Sequence, residues 1–129
     1  MTIRLRNDSG SVTASNYRFA NRYFHDASTT ENTQSNGADK FTITNDTDNS
    51  SNNGGLQGIM YVHRPADANT MTRMNFFHSF FDATGNDIKI SIGTCNYDNP
   101  EAHTGIGLNI PSGGIRDGGS ITVYGIAYS

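Results

Sequence analysis

Short runs in which apolar and polar side chains alternate recur along this chain, each closed by Gly, Asn, Asp or Ser. Alternation with period two sorts side chains onto the two faces of a β-strand. Clustered turn residues then end the strand. No stretch places its apolar residues at the 3.6-residue period of a helix, so the pattern predicts an all-β chain.

The runs fall at residues 3–6, 16–25, 40–44, 56–63, 72–81, 87–94, 105–110 and 120–128. In several, one face is set by the sequence: Phe41 with Ile43; Ile88, Ile90 and Ile92; Ile106, Leu108 and Ile110; Ile121 with Val123. About eight strands at a spacing of roughly 10–15 residues predict an antiparallel β-sandwich, jelly-roll-like, with the apolar faces of two sheets buried together. The run at 72–81 carries Phe76, Phe77, Phe80 and Phe81, which fill both registers. Such a strand is expected to be covered on both faces, the second cover being either a loop or another subunit.

At 129 residues the chain is sized for a single domain, 1–129. Only 34% of residues are hydrophobic and 16% charged, which predicts a thin core and many turns. Six Tyr, seven Phe and a net charge of -3 set it apart from disordered chains, which combine high net charge with few aromatics. No apolar run approaches the ~20 residues of a membrane-crossing helix, and the first residues lack the apolar stretch of a signal peptide. Cys95 is the lone cysteine, so no intramolecular disulfide can form.

Charge is uneven. Arg4, Arg6, Arg18 and Arg22 face only Asp8 within residues 1–25, while the rest of the chain is net acidic. The four arginines are either solvated positions on strand faces or a docking set for an acidic partner. They are too few for a nucleic-acid groove.

Patterns that would carry chemistry are weak. Asp46, Asp48 and Ser50 begin like a calcium loop but lack the Gly and Glu that its geometry requires. His25, His63, His78 and His103 have no paired metal-ligand spacing. The glycines at 113–114 and 118–119 sit between strands and read as turn residues, not as a phosphate loop. Asp8, Asp82 and Asp117 offer no recognisable carboxylate pair of the glycosidase kind. Three Asn-x-Ser/Thr triplets, starting at Asn7, Asn45 and Asn49, are expected to be chance matches without a secretory signal. No catalytic residue, cofactor or metal is expected.

Two segments resemble a known family. The end, Ile106-Gly-Leu-Asn-Ile-Pro-Ser-Gly-Gly-Ile-Arg-Asp-Gly-Gly-Ser-Ile-Thr-Val-Tyr-Gly-Ile126, resembles the C-terminal signature of tailed-bacteriophage virion proteins: a strand, a Gly-containing turn, then Gly-Ser-x-Ile-Thr-x-Tyr-Gly-Ile. The start, Ile3-Arg-Leu-Arg-Asn-Asp-Ser-Gly10 followed by Ser15-Asn16-Tyr17, is similar to that family's N-terminal pattern. The middle matches only loosely, and strands that often precede the Arg-rich segment in that family are missing here.

The resemblance implies a β-sandwich on the phage particle, made in the host cytoplasm and placed on the capsid surface. Its partners would be the major capsid protein and further copies of itself, a trimer being the first expectation. Nucleic acid and membrane are not expected partners. The expected role is that of a non-enzymatic decoration (cement) protein, with Arg4, Arg6, Arg18 and Arg22 docking on the capsid. Phe76, Phe77, Phe80, Phe81 and Tyr124 would serve core and subunit contacts. The alternative is a tail-associated module that recognises host-surface polysaccharide through loops at 45–55 or 96–103.

Overall fold

The alternation of Ile3 and Leu5 with Arg4 and Arg6 becomes strand β1 (Thr2–Asn7), with the two aliphatic side chains buried and the arginines on the opposite face. β1 anchors the smaller of two antiparallel sheets in the computed structural model, which describes residues 1–25, 30–44, 56–81, 87–109 and 120–125. Along one edge of β1 runs β9 (Gly105–Asn109), registered from Thr2 opposite Asn109 to Arg6 opposite Gly105. The other edge is shared by β2 (Gly10–Ser11), beside Arg6 and Asn7, and β5 (Phe41–Thr42), beside Thr2 and Ile3.

The larger sheet has five strands in the order β4-β3-β8-β7-β6, all neighbours antiparallel. They are β3 (Tyr17–His25), β4 (Glu31–Ala38), β6 (Leu56–His63), β7 (Arg73–Phe81) and β8 (Ile88–Tyr97). The two sheets pack face to face as a β-sandwich. Ile3, Leu5, Val12, Phe41 and Ile43 on the smaller side meet Tyr17, Phe19, Met74, Phe76, Cys95 and Tyr97 on the larger. Full burial of such side chains contributes about 2 kcal/mol each, which is what holds the layers together.

Polar groups fix how the layers sit. The Tyr17 hydroxyl accepts a hydrogen bond from the Leu5 amide (2.8 Å) and donates to the Val12 carbonyl (3.1 Å), tying β3 to β1 and to the segment that follows β2. The Asn21 side-chain amide donates to the Thr42 carbonyl and the Tyr23 hydroxyl to the Ile43 carbonyl. Gly93, opposite both Asn21 and Phe76, leaves room for them. A Cβ there would lie 2.4 Å from Asn21 Oδ1 and 2.4 Å from Phe76 Cζ.

The expected runs map onto β1, β3, β5, β6, β7, β8 and β9, and three departures stand out. β4, with the sequence Glu-Asn-Thr-Gln-Ser-Asn-Gly-Ala, carries no apolar alternation, because its strand character comes from backbone pairing with β3. A register shift beside Tyr17/Arg18 coincides with Gly37 at φ +106, a conformation that favours glycine.

The second departure is a correction. Residues 120–125 of the expected last strand pair with no other described residue, and Ile121, Val123 and Tyr124 are exposed, Val123 at 87%. Alternation encodes a pleat but supplies no partner, and an unpaired strand does not persist. Among the described residues nothing lies within 4 Å of a Cβ built on Gly125.

The third departure concerns β8. Its isoleucine face, expected to be buried between the sheets, points outward, and Lys89, Ser91, Cys95 and Tyr97 are the residues that face in. The readings made for residues 45–55, for the glycines at 113–114 and 118–119, and for Asp82 and Asp117 lie outside the described residues.

Candidate docking surface

The outward face of β8 is the centre of an apolar surface on the larger sheet. Cross-strand register places Ile59, Phe77, Ile92, Arg22 and Asn32 in one row across β6, β7, β8, β3 and β4. The next row holds Gln57, Ser79, Ile90 and Phe24, and a third pairs Phe81 with Ile88. Directly opposed side chains on a sheet are contact neighbours, so Ile59, Phe77, Ile92, Ile90 and Phe24 form a continuous patch. Phe77 and Ile92 remain half exposed, at 50% and 51%. The Arg22 guanidinium lies over the Phe24 ring, 5.5 Å from its centroid, and closes the patch on the β3 side.

Covering half of each of these five side chains would contribute roughly 1 kcal/mol apiece. That sum is comparable to the lower estimates of the rigid-body entropy lost on association, about 4 kcal/mol or more. A single such contact is therefore weak, and it gains strength only when many copies act together.

The phenylalanine run divides between the two faces. Phe76 and Phe80 are buried on the inner face, so they serve the core and are not open to another subunit. Phe76 packs 5.1 Å from Phe41, and Phe80 lies edge-on to Tyr23. Phe77 and Phe81 point outward. Tyr124 is 82% exposed and pairs with no strand among the described residues.

The four arginines do not converge. Arg4 and Arg6 lie on the outer face of the smaller sheet, and Arg18 and Arg22 on the outer face of the larger one. Arg4 is ion-paired with Asp39, whose carboxyl is held below the usual range chiefly by that hydrogen bond. Arg18 is ion-paired with Asp98. A linear cluster in sequence becomes two pairs on opposite sides, because each pair follows the strand that carries it.

The inner face of the larger sheet holds a polar row that sequence reasoning missed: Tyr23, Ser91, His78 and Gly58, successive partners across β3, β8, β7 and β6. His78 is sandwiched between Phe76 and Phe80, at 5.0 and 5.4 Å, and neither ring nitrogen finds a hydrogen-bond partner. Burial pushes its pKa down to about 4, helped by the N-terminal ammonium. Ser91 Oγ makes no hydrogen bond to that ring, and both side chains are closed to solvent, so the two do not form a nucleophile and base pair. Their signal in the sequence was slight, a His and a Ser at alternate positions of hydrophobic strands.

His103 is also buried, its Nδ1 2.9 Å from Thr72 Oγ1 and its Nε2 3.3 Å from Glu101. Desolvation outweighs the carboxylate and lowers its pKa, so the ring is neutral near pH 7. Cys95 is sealed in the core with its thiol pushed up to about 12 by burial, which makes it unreactive. Among the described residues no three His, Cys, Asp or Glu side chains gather as a metal site would need. No family model, no curated protein and no solved structure matches the chain.

Proposed function

We propose that this chain is a non-enzymatic structural protein of a tailed-phage virion, a capsid decoration protein that docks on the outer capsid surface. It would associate with further copies of itself through the outer face of its larger sheet. One observation carries the reading: a sandwich whose core is complete without Ile59, Phe77, Ile90, Ile92 and Phe24 nevertheless presents all five together to solvent. Contiguous apolar patches on a soluble fold mark surfaces that other proteins cover. The virion context is supported by the terminal segments that resemble phage virion proteins. The modest energy of one patch suits an assembly in which each contact bridges neighbouring subunits and the shell-wide sum stabilises the particle.

The test has two arms. Sedimentation of the purified protein should show an oligomer that Phe77→Ser with Ile92→Ser converts to monomer. Antibody labelling of particles should cover the whole head, with hundreds of copies per virion. A wild-type monomer that fails to bind expanded capsids overturns the proposal, and labelling confined to the tail overturns the capsid assignment in favour of host recognition.

A further inference from the structure

Where the apolar rows of the outer face end, the sheet turns cationic. His63, Arg73, Asn96 and Arg18 are successive cross-strand partners, and Arg64 follows immediately after β6. Arg64, Thr70 and Met71, from the β6–β7 connection, and His63, Arg73, Asn75 and Asn96 of the strands line an open hollow of about 520 Å³. That volume falls in the range of small-molecule sites, roughly 300–1,000 Å³.

The hollow is built on a held loop. The His103 amide donates to the Pro65 carbonyl at 2.6 Å, and the Tyr97 amide donates to the Thr72 carbonyl at 2.9 Å. Asp67 closes the turn by accepting from the Asn69 amide at 2.9 Å. Arg64 takes a left-handed backbone conformation, φ 50, which is rare for a residue with a side chain and costs of order 1 kcal/mol. Strain of this kind is retained where the surrounding structure over-determines it.

Its positive charge is poorly neutralised. Among the described residues Arg73 has no ion pair, and Arg64 approaches only Asp67, at 3.9 Å. Asp98 is already engaged by Arg18 and by the Asn96 amide. Thr70 Oγ1 is buried without a hydrogen-bond partner.

Two guanidinium groups in one hollow suit a carboxylate, which each fork can bind through two oxygens. The rest of the lining is not the donor-only set that a phosphate prefers. Asn96 Oδ1 brings acceptor capacity, which hydroxyl groups use, while its amide nitrogen is held by Asp98. Met71 lies in the lining, and at its rim Tyr61, the cross-strand partner of the lining residue Asn75, is half exposed. These offer apolar surface to the C–H face of a sugar ring.

We propose that this hollow binds an acidic sugar, with Arg64 and Arg73 holding its carboxylate and Asn96 Oδ1 accepting from one of its hydroxyls. The site goes beyond docking on a capsid and stands or falls separately from it. The probe is glucuronate, titrated calorimetrically at fixed ionic strength, with glucose, acetate and inorganic phosphate as comparisons.

Saturable glucuronate binding is expected, at least tenfold tighter than for each comparison ligand. Arg73→Gln should weaken it at least tenfold, and Arg73→Lys, which keeps the charge without the fork, should weaken it several-fold. Lys40→Gln, which removes a cation outside the hollow, should leave it unchanged. Absence of saturable binding, equal binding of glucose, acetate or phosphate, or indifference to Arg73→Gln would each overturn the assignment. Thermal midpoints within a degree or two of wild type confirm that the exposed Arg73 variants are folded.

Discussion

On β8, Ile88, Ile90 and Ile92 look out into solvent while Lys89 and Ser91 look into the sandwich; four residues past Ser91, the inner face turns to Cys95 and Tyr97 under the smaller sheet. The two faces of one sheet thus solve different problems. The inner face is matched to a fixed neighbour, with tyrosine hydroxyls and an asparagine amide bonded to opposing backbone carbonyls. The outer face carries aliphatic and aromatic side chains too, but no partner among the described residues. Hydrophobicity on both sides of a strand does not say which side the core takes.

The largest effect that separates the faces is expected from paired truncations in β7. Phe76→Ala should cost about 4 kcal/mol, because it opens a cavity against Phe41 and Gly93. Phe77→Ala should cost under about 1 kcal/mol in the dilute monomer and instead weaken association. Urea unfolding of both variants checks this, and equal losses would erase the distinction. Gly93→Val comes next. Its side chain would invade the space of Asn21 and Phe76, at about 3 kcal/mol, visible as a drop of several degrees in Tm.

The inner polar row gives a pH test. His78 has a folded pKa near 4, against 6.5 when unfolded. Above about pH 6.5 the ring is neutral in both states and contributes no slope. Between 6.5 and 4 the unfolded chain takes up the proton first, so stability falls as pH falls, by at most about 3 kcal/mol. His103, lowered in the same direction, adds to the slope. His78→Phe, measured by denaturant unfolding across pH 8 to 4, should flatten most of it, whereas an unchanged slope would mean the ring is not buried as described.

A smaller effect belongs to Tyr17→Phe, which strands the Leu5 amide and the Val12 carbonyl and should cost about 2 kcal/mol. Smallest for the isolated fold is Ile90→Thr on the outer face, within about 0.5 kcal/mol by thermal unfolding. Its consequence should be seen in sedimentation instead.

Much of the architecture could be read from the chain. Phe41, Ile43, Ile3 and Leu5 announced their strands by alternation, and the double-register phenylalanines put aromatic rings on both faces of β7, of which the described residues bury only the Phe76 and Phe80 side. β4 was invisible, because Asn32, Gln34 and Asn36 have no reason to be a strand until β3 offers its backbone. The arginines were adjacent in sequence and separate in space, so their grouping as a single docking set did not translate into one surface. The hollow around Arg64 and Arg73 was also beyond sequence reach, since it joins the β6–β7 connection to Asn96 across two strands.

The amino-acid order alone settled that this chain makes strands, and roughly where, because period-two alternation and turn residues act over a few neighbours. Tertiary structure alone decided that β8 turns Lys89 and Ser91, and not its isoleucines, toward the core. Flipping a strand exchanges its two faces without altering its local conformation, and only the fit of Tyr17, Asn21 and Tyr23 against the smaller sheet selects one orientation over the other.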